Sequence, residues 1–338
     1  MRARILAREL RQAGHELLLT GFGRAAALLR EQGFEVLEVR GLTCSYEGGA
    51  VRRGRTLLRA VSGTPARLRH NARIALEQVR GFRPDVALTD FSGFAYYARL
   101  VTGCPIISID HQHVIDRFHH PRELTAHFKA NFALARATVT AKTPGCDRFL
   151  VTSFYFPDPR PGTEASTRIT GPLLRPELAG LEPARGRHVL VYQTAAGDRA
   201  LLETLRSQPG VEFRVYGAGG VGKGGNLELK SFDERGFLGD LASARAVISN
   251  GGFSAISEAL YLGKPVLSIP LLHQGEQQLN AAWLARLGLG MRGARLSPEL
   301  LREFLTRFCD APQKRDPRLR TGTRDFVGAL HRALREVA

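Results

Sequence analysis

Cysteine is scarce and never clustered. Cys44, Cys104, Cys146 and Cys309 stand far apart with no C-x-x-C spacing. That argues against a structural zinc site and a disulfide framework, and fits a reducing compartment. Long apolar runs are missing as well: nothing approaches the roughly 20 uninterrupted apolar residues of a membrane span. No secretory leader is recognisable ahead of the first apolar helix, so the expected location is the cytoplasm. Lysine is rare, at six of 48 basic residues. No zinc-finger or RNP pattern occurs, which places nucleic acid last among possible partners. No repeat of solenoid length is visible.

What is present is a chain of 338 residues, 43% apolar and 24% charged, long enough for two separate cores. Its formal charge of +16 is uneven. Residues 1–175 hold 26 Lys and Arg against 15 Asp and Glu, whereas residues 176–338 hold 22 against 17. The densest part is "VRRGRTLLRAVSGTPARLRHNARIALEQVRGFRP", residues 51–84, with nine arginines and one acid, Glu77. Apolar residues such as Leu57, Leu68, Ile74, Leu76 and Val79 are interleaved there. One reading is a solvated helical face in an arginine-rich chain. The other is a surface for anionic lipid headgroups or an anionic acceptor, giving peripheral attachment at the inner face of the cell membrane.

Short β-branched runs alternate with helix-period stretches. Strands are expected at Leu17–Thr20, Val36–Val39, Val86–Thr89, Ile106–Ile109 and Thr138–Ala141. A second series is expected at Val189–Tyr192, Phe213–Tyr216, Leu227–Phe232, Ala246–Ser249 and Val266–Ile269. Such alternation is the pattern of α/β chains with doubly wound parallel sheets. Between the series, "TGPLLRPELAGLEPARGRH" carries three prolines and three glycines and reads as an interdomain linker. The expected organisation is one Rossmann-like domain over 1–175 and a second over 176–312. A C-terminal helix, 313–338, is expected to pack back on the first domain. Ligands of such sheets bind at strand C-ends, here in the cleft where the domains face each other.

The chemistry concentrates in "AVISNGGFSAISEALYLGKPVLSIPLLHQGEQQLNAAWLARLGLG". Gly251 and Gly252 form a turn that a backbone or phosphate can approach closely. The following helix points its free N–H groups and positive dipole end into that turn. Ser254 and Glu258, four apart, share one face of that helix, so Glu258 can accept from the vicinal diol of a ribose attached to a pyrophosphate. Glu276, Gln277 and Asn280 open the next helix and suit a ligand rich in hydroxyls. Each feature alone has an ordinary structural reading, as turn, surface acid or cap; their order favours a nucleotide-sugar site.

The same run, "SNGGFSAISEALYLGKPVLSIP…EQQLNA", resembles the nucleotide-sugar signature of GT-B glycosyltransferases. It is most similar to the group holding the peptidoglycan lipid-linked N-acetylglucosaminyltransferase, the diacylglycerol galactosyltransferases and a set of bacterial and archaeal transferases. The blocks "RPDVALTDFSGFAYYARLVTGCPIISIDHQHV", "TGPLLRPEL" and "GFLGDLASARAVISNGGFS" extend the resemblance over most of the chain. It implies a glycosyltransferase that moves a hexose-type sugar from a UDP-sugar to a lipid-linked or polysaccharide acceptor. Gly251, Gly252 and Ser254 would hold the diphosphate, Glu258 the ribose, and Glu276 and Gln277 the sugar. Phe232 falls where relatives contact the base, and Thr194 in "TAAG" offers further N–H groups. Many sugar transferases hold a divalent cation on an Asp-x-Asp motif; this chain has none. Activity without metal or cofactor is therefore expected, with the helix N-terminus compensating the leaving group.

A transferase also needs a base for the acceptor's proton. Asp90, after "VALT", and His111 and His113, after "IISI", lie at strand ends of the first domain. Asp90 could instead cap a helix, and the histidines could simply pack. The resemblance implies a strand and a Gly-x-Gly-His loop ahead of the first helix, absent from "MRARILAREL". The expectation is that Met1 is not the natural start and that the usual base candidate lies upstream. A UDP-sugar hydrolase or epimerase, or a degenerate nucleotide-sugar binder, are the alternative readings.

Overall fold

The structure, a computed structural model, describes residues 1–41, 46–47, 50–51, 64–193, 199–309 and 316–337. Helix α1 (Arg2–Gln12) leads into β1 (Leu19–Gly21), α2 (Gly23–Arg30) and β2 (Val36–Glu38). β1 and β2 pair in parallel as a sheet of their own. A small antiparallel pair, β3 (Tyr46–Glu47) and β4 (Ala50–Val51), precedes α3 (Thr64–Ile74) and a π-helical turn at Ala75–Val79. Then come β5 (Ala87–Thr89), α4 (Phe94–Thr102), β6 (Ile106–Ser108), α5 (Lys129–Lys142), β7 (Arg148–Thr152) and β8 (Thr167–Thr170). The last four strands form a parallel sheet in sequence order. α1 seals the seam between the two sheets. Its Ile5, Leu6 and Leu10 enter a core with Ile107, Leu150 and Phe326, while Ala7 meets Ala26, Leu29 and Val36.

The second half contains β9 (His188–Tyr192), α6 (Arg199–Arg206), β10 (Glu212–Tyr216), β11 (Gly222–Gly224), β12 (Leu227–Lys230) and α7 (Glu234–Ser243). It continues with β13 (Ala246–Ser249), α8 (Phe253–Tyr261), β14 (Val266–Ser268), α9 (Gly275–Arg286), β15 (Gly290–Arg292) and α10 (Pro298–Phe308). The sheet order is β11-β12-β10-β9-β13-β14-β15, with only β11 antiparallel. Strand alternation splits the apolar residues between two layers. Leu190, Val247 and Val266 face α7, α8 and α9; Val189, Val191, Ile248 and Leu267 face Leu201 and Leu205 of α6 and Phe304 of α10.

The expected strand at Thr138–Ala141 is instead the last turn of α5. Its threonines are accommodated by helical back-bonding: Thr138 Oγ1 donates to the Leu134 carbonyl at 2.8 Å and Thr140 Oγ1 to that of Arg136 at 3.1 Å. The surrounding "KANFALARATVTAK" is rich in alanine, and helix propensity wins over one β-branched cluster. β3, β4, β7, β8, β11 and β15 are not among the expected strands. In the proline- and glycine-rich stretch between the two halves, Leu173, Leu174 and Leu178 are buried. Helix α11 (Pro317–Val337) packs Phe326, Ala329 and Leu330 against Ile107 and Leu150 of the first half.

One apolar core runs through both halves. Phe149, Phe154 and Tyr155 belong to the same cluster as Leu190, Phe253, Leu279 and Trp283. α9 meets α5 so closely at Gly275 that a Cβ there would lie 2.7 Å from the Asn131 carbonyl oxygen and 2.8 Å from Ala135 Cβ.

Candidate active site

The turn between β13 and α8 lies at the strand C-ends, where the two halves meet. Gly251 adopts φ +84°, and a Cβ there would fall 2.8 Å from Ser268 Oγ and 2.9 Å from the Gln277 carbonyl oxygen. Only glycine satisfies both the backbone sign and that approach. Asn250 Nδ2 donates to Gln193 Oε1 at 2.6 Å, and Asn280 Nδ2 to the Gly251 carbonyl at 3.1 Å. The turn is thus fixed from two neighbouring elements. Gly252 caps α8 without any side-chain bond, so the helix presents its first N–H groups unscreened. Gln193 Nε2 and Ser268 Oγ, both buried beside this turn, have no hydrogen-bond partner. A cradle with spare polar groups fits an oxygen-rich anion.

Ser254 is half-buried on the first turn of α8, and Glu258 one turn later is 1% exposed. Burial raises the Glu258 carboxyl above its ordinary value, against the pull of Arg175. Arg175 grips it in a fork, Nε to Oε1 at 2.7 Å and Nη2 to Oε2 at 3.2 Å. Burial likewise raises Glu276, which receives a long hydrogen bond of 3.4 Å from Gln112 Nε2 across the cleft. Gln277 Oε1 accepts from the Leu271 backbone N–H at 3.0 Å and shapes the loop before α9. Phe232 is 44% exposed at the rim of an aromatic group with Tyr192, Tyr216 and Phe237. Thr194 lies outside the described residues.

The three base candidates are placed very differently. His111 is buried, stacked on Phe253 at 3.9 Å between centroids, with Nδ1 2.8 Å from the Thr152 carbonyl and Nε2 2.9 Å from Asn280 Oδ1. Burial pushes it down to about 4, partly opposed by the Asn280 and Thr152 hydrogen bonds. Tyr155 also donates to Asn280 Oδ1, at 3.0 Å. His111 is therefore a cross-domain packing group. His113 is buried between Asp116 Oδ1 and Thr143 Oγ1, each at 2.8 Å, and its N–H is held by Asp110. Neither ring has a nitrogen left for an acceptor hydroxyl. Asp90 does not cap α4, whose N-cap is Gly93. It is half-buried just after β5, and Arg2 Nη2 and Nε donate to its Oδ1 at 2.7 and 3.1 Å.

Several residues at this site carry no motif of their own. Arg175 sits in "TGPLLRPEL", Arg2 and Arg4 in the opening "MRAR", Gln112 between the two histidines, and Gln193 at the end of β9. Only a positive charge placed among the glycines and prolines at Arg175 could have drawn attention beforehand. Among the described residues no three His, Cys, Asp or Glu side chains converge as a metal site.

Two facing parallel-sheet domains, with a glycine turn and helix N-terminus at their junction, are the architecture of GT-B glycosyltransferases. A solved glycosyltransferase of kitacinnamycin shares it, with a TM-score of 0.60 over 98% of this chain and 90% of that one, at 21% identity. The family model for glycosyl transferase family 1 matches residues 1–309, and the chain belongs to that family. An uncharacterised glycosyltransferase of Methanosarcina mazei is 23% identical across 92% of this chain and 86% of its own. A shorter match is 40% identical over 78 residues, 22% of this chain and 21% of the relative. That relative is the UDP-N-acetylglucosamine–N-acetylmuramyl-(pentapeptide) pyrophosphoryl-undecaprenol N-acetylglucosamine transferase of Brucella anthropi. The protein is a glycosyltransferase.

Proposed function

We propose that this glycosyltransferase moves a hexose-type sugar from a UDP-sugar to a lipid-linked or polysaccharide acceptor, without a bound metal. The observation that carries the donor reading is Glu258, a buried carboxylate on α8 one helical turn beyond Ser254, which follows the Gly251–Gly252 cradle. A diphosphate in that cradle brings its ribose diol to the carboxylate, and the α8 N–H groups oppose the charge that develops on the leaving group. Glu276, Gln277 and Asn280 then lie beside the transferred sugar, and Phe232 offers a face to the base. The lipid-linked acceptor is supported by the Brucella relative's name. Asp90 is the base in this reading: it is only half-buried, and Arg2 orients it, whereas both histidines are enclosed.

The test is UDP release from a panel of UDP-sugars, with and without polyprenyl-phosphate and glycan acceptors, alongside UDP binding. Acceptor-dependent release is expected, undiminished by EDTA. Glu258→Ala should lose UDP binding, and Asp90→Asn should lose turnover by roughly a hundredfold or more while still binding UDP. Equal UDP affinity of Glu258→Ala and wild type overturns the donor site. Release that ignores every acceptor makes the protein a hydrolase.

A further inference from the structure

The diol acceptor is already occupied by the protein itself. Both oxygens of Glu258 are held by Arg175, and the third guanidinium nitrogen of Arg175, Nη1, donates to Glu234 Oε1 at 2.8 Å. Glu234 in turn is forked by Arg4, with Nη1 to Oε2 and Nη2 to Oε1 both at 3.1 Å. Burial works to raise Glu234, but the hydrogen bonds and charges of Arg4 and Arg175 outweigh it and hold its carboxyl below the ordinary value. Glu177 adds a weaker contact to Arg4 at 3.7 Å.

The placement of these four groups matters more than their number. Arg4 lies on α1, which packs with the first-half sheets; Glu234 opens α7 and Glu258 lies within α8, both in the second half. The charges therefore cross from one domain to the other over the position where a ribose would seat. The same segment is held a second time from that side, because Arg24 of α2 lies 5.7 Å from the Phe232 ring centroid. Fork-to-fork geometry makes such pairs directional, and at 1% exposure water offers Glu258 no substitute partner.

We propose that Arg4, Glu234, Arg175 and Glu258 form an interdomain latch over the donor site, making Arg4 a positioning residue that sets donor affinity from the opposite domain. The proposal rests on the reading of Glu258 as the ribose acceptor. Donor hydroxyls reach Glu258 only when Arg175 has released it, so the apparent affinity is reduced by the fraction of molecules that are latched. Arg4 lies at the far end of this chain and touches none of the groups assigned to the donor. Removing it loosens Glu234, lets Arg175 shift towards Glu234 and raises the open fraction.

The experiment is calorimetric titration with UDP of the wild type, Arg4→Ala, Arg4→Lys, Glu234→Gln and Glu258→Ala, at low and high salt. Arg4→Ala should bind UDP roughly twofold to fivefold more tightly than wild type at low salt, the range of a partly exposed ion pair, whereas Glu234→Gln, which removes the carboxylate that competes for Arg175, should bind it more weakly. Arg4→Lys, which keeps the charge, should stay near wild type. The difference should shrink at high salt as the exposed end of the latch is screened. Unchanged or weaker UDP binding by Arg4→Ala, or tighter binding by Glu234→Gln, with cooperative melting retained and Glu258→Ala unable to bind, overturns the latch alone. Undiminished binding by Glu258→Ala overturns the donor reading and the latch with it.

Discussion

His120 shows how a single hydrogen bond can fix a protonation state. Trp283 Nε1 donates to its Nδ1 at 3.1 Å, so that nitrogen must carry a lone pair, and its Nε2 donates to the Val114 carbonyl at 2.8 Å. A second proton would break the Trp283 bond and leave a charge in an apolar setting. Burial pushes both His111 and His120 down to about 4. An unfolded chain takes up these protons near pH 6.5, whereas the folded protein resists until about pH 4. The stability these sites contribute is therefore complete above about pH 6.5 and lost as the pH falls towards 4. Its size is on the order of 3 kcal/mol for each histidine. A melting-temperature series should fall across that window. His120→Gln, which keeps a donor and an acceptor but cannot titrate, should flatten the fall; an equally steep decline in that variant would show that other groups drive acid unfolding.

At the scale of elements, α9 is the piece on which both domains depend. It carries Glu276, Gln277 and Asn280, and it lies on α5 through Gly275. Gly275→Val places branched carbons against the Asn131 carbonyl and Ala135, so overpacking should cost about 1–3 kcal/mol. Trp283, the single tryptophan, stacks on Tyr155 at 5.1 Å in the same interface and should show red-shifted emission as the helices part. An unshifted spectrum with unchanged melting would mean that the contact relaxes at no cost. The helices and strands around this interface were legible to different degrees. β9, β13 and β14 could be read because buried parallel strands are unbroken apolar runs, and α8 because its glycine turn announces it. β15 is three residues long and ends on Arg292, so it lacks that signal, whereas β7 carries the buried run Phe149–Val151 behind Arg148 and was legible by the same rule. The turn of Gly251 and the face of Ser254 and Glu258 follow from spacing alone, since both depend on local backbone geometry. Arg175, Gln112 and Arg4 could not be read that way. Their partners lie 59 to 230 residues away in the chain, and only the packing of the two sheets brings them together.

At the scale of the molecule the question is where an acceptor arrives. No helix among the described residues is long and apolar enough to cross a membrane. The lipid-linked acceptor proposed above would be met at a surface, and the net charge of +16 favours one that is anionic. Of the arginine-rich run, residues 52–63 lie outside the described residues; 64–79 form α3 and the π-helical turn beside α4, and Arg80 opens the short helix Arg80–Phe82 that follows. There Leu68 and Leu76 are 48% and 54% exposed, and Arg69, Arg73 and Arg80 are exposed among them. On α4, Leu100 is 65% exposed. Exposed leucines among arginines are costly to leave in water and suit a headgroup boundary, where each arginine adds about 1 kcal/mol against anionic lipid. The full chain should float with vesicles containing phosphatidylglycerol and not with neutral phosphatidylcholine vesicles. The triple variant Arg69→Glu, Arg73→Glu, Arg80→Glu should remain at the bottom of the gradient, and Leu76→Asp should weaken flotation in a way that low salt does not restore. UDP binding, measured in parallel, should be untouched in both, since none of the assigned donor residues lies on α3 or the π-helical turn. Flotation that ignores lipid charge, or that survives the triple reversal, would turn this face into an ordinary solvated helix surface and move the acceptor's approach elsewhere on the cleft rim.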